Sequence, residues 1–309
     1  MSFEPVYKLR EWIPERAINS KFICGNPHAF RKNIQRRKIE DISWNWFSKN
    51  THPGAVHMME QNVHSKQLLW SFISANPSAI YLLKRHPENI NKRYLNSNPE
   101  GISLLEENLD WIIPDILACN KNGIQLLKSS VKCKRYYWNN LCSNPSAKAI
   151  KVIKKNLSKI DFEGLSKNTN PEVIPIILAN LDKCNWSELS RNPIMVPLLK
   201  ENQHKINWEY LFGNNSEEAM ELIHENIQKL DETGVELGLG LGLLSLNPAI
   251  FILDKDAMMR QVQYFAEDLI STVLHPTRVH KYMDKYNYNI LEDEYCTNDD
   301  NTSFMPVNA

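Results

Sequence analysis

The sequence predicts an all-α protein, a right-handed α-solenoid of about ten short two-helix repeats of 22–24 residues. Three observations carry this expectation: an Asn, most often followed by Pro, recurs at near-constant spacing; an apolar residue stands three positions before each such Asn; and an aromatic residue usually stands six before it. Asn76, Asn98 and Asn120 are 22 apart, and Asn120, Asn144, Asn168 and Asn192 are 24 apart. A period that short leaves room for two helices and nothing else.

The clearest unit runs from Trp186 to Ile206, and its residue types explain its shape. Asn before Pro starts a helix: the Asn side chain accepts from the first-turn amides, and Pro surrenders an N–H that had no partner. After Asn192, Met195, Val196, Leu198 and Leu199 share one helical face, and Asn202 is expected to end the helix as a left-handed cap. Before it, Trp186 and Leu189 bury one side of a shorter helix. The position three before the Asn holds Ile23, Phe47, Ile73, Leu95, Leu117, Leu141, Leu165, Leu189, Leu211 and Leu244, apolar throughout. The position six before holds Trp44, Trp70, Trp138, Phe162, Trp186 and Trp208, with Lys92 and Pro114 as exceptions. Small residues three after the Asn (Ala29, Ala79, Gly101, Gly123, Ala147) predict close contact between helices of neighbouring units. Pro175 and Pro197 fall inside the expected longer helix and do not fit it. One such unit cannot cover its own apolar face, so the units must stack.

The boundaries follow from where the rhythm holds. Residues 1–21 read as an N-terminal cap, 22–255 as the repeat array with an irregular insertion at 231–246, 256–295 as a C-terminal helical cap, and 296–309 as a disordered acidic tail. In the insertion, alternating glycines lack the preceding strand and following Lys-Ser or Lys-Thr of a phosphate loop. The apolar run 237–253 is broken by Asn247-Pro248, so a membrane span is not expected. Equal numbers of basic and acidic residues, 36 of each, argue against a protein built mainly to coat nucleic acid. The six cysteines lack metal or disulfide spacing; Cys24 and Cys142 take a position that elsewhere holds Ser, as small buried residues would. That cysteine pattern makes a reducing compartment the expected location, and the N-terminal sequence, without the charged start and apolar run of a signal peptide, implies no secretion.

No linear catalytic motif is present, and no metal or cofactor is expected: His52 and His57 lack a third ligand. The informative position is four before the Asn. It holds Trp46, Phe72, Tyr94, Ile116, Asn140, Gly164, Glu188 and Tyr210, a mixture that a core position would not accept. Trp46, Phe72 and Tyr94 are therefore expected to form a part-exposed aromatic stripe, the candidate site for a protein partner. The second candidate is a basic and aromatic cluster, Lys132, Lys134, Arg135, Tyr136 and Tyr137, suited to stacking on RNA.

The unit W-x-x-L-S-x-N-P-x-A-I-x-L-L-K-x-N, together with the ending H-P-T-R-V-H-K-Y-M-D-K-Y-N-Y-N-I and its acidic tail, resembles tandem-repeat proteins of giant amoebal DNA viruses of the mimivirus and megavirus type. That resemblance implies mostly a viral origin; with the repeat architecture and the aromatic stripe, the expected function is a non-enzymatic scaffold for a viral or host protein in the host cytoplasm, with the virion as the alternative location. More distantly, the short period and Asn-Pro corners are similar to leucine-rich-repeat variants, which implies that part of the short helix is 3₁₀.

Overall fold

The computed structural model describes residues 5–127, 135–232 and 238–286, with the side chains of 32, 135–136 and 227–241 outside the description. The described chain is mostly helical, with one antiparallel pair of three-residue strands, β1 (Tyr7–Leu9) and β2 (Phe251–Leu253). It divides into two compact units: Tyr7–Leu253, and the N-terminal residues to Val6 with the chain from Asp254 onward.

Within the first unit, one repeat shows the local logic. The Asn185 side chain accepts from the amides of Ser187 (3.0 Å) and Glu188 (3.3 Å) and starts the short helix Trp186–Arg191. At Asn192 the backbone turns extended, and its Oδ1 accepts from the Ile194 amide over a 3₁₀ turn, Pro193–Met195. Only then does the α-helix Val196–Glu201 begin. The late start resolves the misfit of Pro175 and Pro197: each falls in the first positions of an α-helix, Ile174–Leu178 or Val196–Glu201, where a missing N–H costs nothing. The longer helix is thus shorter than expected, and a second 3₁₀ turn, Gln203–Lys205, fills the return. Asn202 does end the helix, but not by a left-handed backbone: its φ is −127°, and its Nδ2 donates to the Leu198 carbonyl at 3.0 Å. Asn62, Asn108, Asn156 and Asn180 do the same four residues back, occupying carbonyls that the helix end would leave orphaned.

The corner Asn does more than cap. Its Oδ1 holds its own corner while its Nδ2 reaches into the preceding unit and donates to two main-chain carbonyls. Asn98 donates to Ser74 O (2.9 Å) and Asn76 O (3.0 Å), and Asn120 to Asn96 O (2.9 Å) and Asn98 O (2.8 Å). Asn50, Asn76, Asn144, Asn168 and Asn192 repeat the pattern, and Asn214 donates to Ser190 O at 3.0 Å. All of these Asn side chains are buried. A parallel row of hydroxyls runs beside them. Ser48, Ser74, Ser166 and Ser190 each donate to the carbonyl four residues back and accept from the amide that opens the next short helix, at Leu69, Asn91, Asn185 and Asn207. Asn96 replaces the Ser in its unit and makes both bonds through its amide.

The Asn row closes on itself, whereas the hydroxyl row is interrupted where Cys24, Ala118, Cys142 and Phe212 hold the Ser position. Asn247 donates to Phe212 O (2.9 Å) and Asn214 O (2.7 Å), and Asn26 in turn donates to Ser245 O (3.0 Å) and Asn247 O (2.9 Å). Ser245 Oγ accepts from the Asn19 amide at 2.8 Å, in the same register as the interior hydroxyls. Of the expected cap, residues 1–21, the part from Tyr7 to Asn19 runs along this junction. β1 pairs with β2, the Arg10 guanidinium donates to Ala249 O and pairs with Glu217, and the Tyr7 ring stacks on His28 at 4.0 Å.

Other details depart from expectation for physical reasons. The glycines after the corner, Gly101 and Gly123, meet their own unit: a Cβ on Gly101 would lie 2.8 Å from Leu95 Cδ1 and 3.0 Å from the Leu95 carbonyl. Where the corner carries an insertion, two residues share one job. Asn168 holds the ladder while Asn170 caps Pro171–Val173, and Asn50 holds it while His52 Nδ1 caps Pro53–Gln61. In the second unit, His275 Nδ1 accepts from Thr277 N ahead of the helix Pro276–Tyr286, as the sequence likeness to Asn-Pro implies. Of the irregular stretch 231–246, residues 233–237 lie outside the description and Gly238–Leu246 is helical; the 296–309 tail lies outside it altogether.

Removing one ladder rung has a defined cost. Asn98→Ala strands the buried Ser74 carbonyl and the part-buried Glu100 amide and takes from the Asn76 carbonyl one of its two donors, the other being the Ala79 amide, and is expected to lower stability by about 2 kcal/mol or more, because each unpaired buried polar group costs roughly 1–3 kcal/mol. Asn122→Ala, which removes an exposed bond to Pro99 O, is expected to cost less than about 1 kcal/mol. Urea denaturation of both variants checks the difference.

Candidate functional site

The residues four before each corner Asn lie on the short helices, on the side away from the apolar residue next to them. The helices of adjacent units run side by side under the Asn ladder, so these residues form a row. Phe22, at the same position in the first unit, stacks on Trp46 with centroids 4.3 Å apart, and Phe72 meets Tyr94 edge to face at 6.1 Å. Between the two pairs stands Lys49. Its ammonium lies 4.4 Å from the Trp46 ring centroid and 4.1 Å from that of Phe72, in cation–π contact with both. The structure thus brings Trp46, Phe72 and Tyr94 together as one surface, partly accessible throughout, with Tyr94 37% exposed.

The row changes character further along. Asn140 donates to the Asp115 carbonyl, and Lys167 pairs with Glu163 (3.3 Å) and Glu188 (3.6 Å). Gly164 is an exception to the part-exposed reading of this position: it is buried, and a Cβ there would stand 2.1 Å from the Asn139 carbonyl, so the neighbouring backbone requires Gly. Lys49 senses charge from far along the chain. Burial, and then the positive charge of Arg191, lower its pKa below the ordinary lysine value. Both residues immediately precede a corner Asn, in units 142 residues apart (191 − 49). Phe22, Lys49 and Arg191 were not singled out by sequence; tabulating the residue directly before each Asn, where Lys49, Lys167 and Arg191 recur, is the signal that finds the cations.

A second set of lysines has a different role. Lys159, Lys183 and Lys205 each stand nine before a corner Asn and lie over the ring six before the preceding one: Trp138 (5.5 Å), Phe162 (5.4 Å) and Trp186 (4.7 Å). Lys92, an exception in the sequence pattern, is this pair exchanged, with its ammonium 5.0 Å from the Trp111 ring. These contacts roof the partly buried aromatics and hold successive units together.

In the basic cluster, Lys132 and Lys134 lie outside the described residues, as do the side chains of Arg135 and Tyr136. Tyr137 is half-buried and meets Trp138 edge to face at 6.2 Å, within the helix Arg135–Ser143. Among the described residues no group of His, Cys, Asp and Glu is arranged to hold a metal ion, and no helix is long and apolar enough to cross a membrane. Cys24 and Cys142 are buried, as expected of small core residues, and burial pushes the Cys142 thiol up to about 11. Comparison with known protein families, curated proteins and solved structures finds no match.

The depressed Lys49 amine gives a measurable consequence. A lowered pKa leaves more free amine at mildly alkaline pH, so Lys49 is expected to acylate faster than the exposed Lys84 of the next unit. Arg191→Gln removes one of the two causes, raises the pKa and slows that reaction; mass spectrometry of the modified peptides reads both.

Proposed function

We propose that the chain is a non-enzymatic helical-repeat scaffold that takes a protein partner on the row formed by Phe22, Trp46, Phe72 and Tyr94. The finer architecture belongs to this reading: a right-handed stack of about ten two-helix units, with its Asn row joined end to end. The observation that carries the proposal is the continuity of the row. Large rings from four successive units form two contacting pairs joined by the Lys49 ammonium, at a position whose later members include Asn, Gly and Glu, so the fold itself does not require aromatic residues there. Accessible rings held in fixed positions suit a binding surface, because little side-chain freedom is lost when a partner covers them. The likeness to tandem-repeat proteins of giant viruses supports an infected host cell as the setting and a viral or host protein as the partner.

Trp46→Ala combined with Tyr94→Ala tests the site. Both side chains stand at the position that tolerates small and polar residues, so the folded array is expected to persist, while partner recovery from infected cells falls about tenfold or more, as loss of central aromatic contacts does. Affinity purification with and without nuclease, read by mass spectrometry, measures it. Undiminished recovery with the double variant would contradict the site, and a partner set that disappears with nuclease would favour RNA instead.

A further inference from the structure

Among the described residues, the helix Lys255–Val273 carries an exposed apolar face. Met258, Met259, Val262, Phe265, Ala266, Leu269, Ile270 and Val273 recur at spacings of three and four and cover a broad arc of the helix. No residue of this helix, or of Pro276–Tyr286 after it, is buried. Met259, Val262, Phe265, Leu269, Ile270 and Val273 are each more than a third exposed. A contiguous face of this kind on a soluble helix marks an interface.

The sequence of the helix indicates what covers it. Its basic residues, Lys255 and Arg260, lie in the N-terminal half with Asp256, which leaves that half at +1, and Glu267 and Asp268 give the C-terminal half −2. A second copy laid antiparallel sets the basic half against the acidic half and opposes the two helix dipoles; a parallel copy sets like against like. The antiparallel arrangement also matches shapes. With its twofold axis between Phe265 and Ala266, the large ring of one copy faces the small methyl of the other, Val262 faces Leu269, and Met258 faces Val273. The chain past Tyr286 complements the helix poorly: it holds Glu292, Asp293, Glu294, Asp299 and Asp300 and no Lys or Arg, against a helix that is itself net acidic. A helix of this length, about 28 Å, buries on the order of 1,000 Å² in total with its copy, near the lower bound for a specific interface. Tyr282 and Tyr286 of the next helix, both exposed, extend it.

We propose that two copies of this chain associate through antiparallel pairing of the helix 255–273, centred on Phe265 and Ala266. The interface is modest in area, so association is concentration-dependent in the micromolar range. Sedimentation equilibrium of the full chain is expected to show a monomer–dimer equilibrium, and Phe265→Asp with Leu269→Asp is expected to abolish the dimer while the thermal unfolding of the repeat array stays unchanged. A chain that is monomeric throughout, or a dimer that survives the double substitution, overturns the proposal. Direction is read by cross-linking with a short bismaleimide against the unsubstituted chain. Ala266→Cys is expected to give a dimer band and Val273→Cys none, because the antiparallel pair holds the two 273 positions about 22 Å apart along the axis. Equal cross-linking at both positions, the mark of a parallel pair, likewise overturns it.

Discussion

Two residues before each corner Asn the chain buries a main-chain carbonyl that no helix satisfies, and the structure depends on one side chain that answers for it. A buried amide N–H or C=O without a partner costs about as much as a hydrogen bond contributes. Asn is suited to the position because its two ends are different. Oδ1 accepts from an amide of its own corner, and Nδ2 donates twice into the unit before. Asp could make the first contact but not the second; Ser could cap but not reach. Hydrophobic packing of Leu95, Leu117 or Leu165 holds neighbouring units together without fixing their register. The polar rows of Asn and Ser fix it, since a shift of one residue would leave an entire row unpaired.

Much of this was legible in the sequence because it repeats. The apolar position three before the corner, the aromatic six before it and the Ser two before it are readable from spacing alone, and all lie where the spacing puts them. The Asn residues were read as caps, which is half of their work. The other half was hidden because a donor aimed at another unit leaves no mark on local propensity. Pro175 and Pro197 looked like faults because the interposed 3₁₀ turn delays the helix by three residues, a difference that apolar periodicity does not register. The closing of the Asn row was illegible for a stronger reason: Asn26 and Asn247 are 221 residues apart, and only geometry accumulated over all the units brings them together.

The candidate site was legible in its rings and not in its cations. Trp46, Phe72 and Tyr94 stand out because the same position elsewhere holds Asn, Gly and Glu. Lys49 looked like an ordinary solvated residue, yet it lies between two of those rings and is influenced by Arg191. A cation held against aromatic faces, with a second cation bearing on it, gives the row a positive character that ring composition alone did not suggest. The outer lysines, Lys159, Lys183 and Lys205, use the same contact for a structural end, covering rings that would otherwise face water.

The central claim is that the Asn ladder has no loose end, running from Asn247 on to Asn26, and one amide beside that junction reports on it directly. The Asn19 N–H donates to Ser245 Oγ, as Asn91 donates to Ser74 and Asn207 to Ser190. Amide hydrogen exchange resolved by residue compares the three. The closed circuit predicts that Asn19 is protected to within about tenfold of Asn91 and Asn207, because all three open only with the array itself. An Asn19 amide that exchanges at the rate of an unstructured terminus, while Asn91 and Asn207 remain protected, would show that the circuit is open.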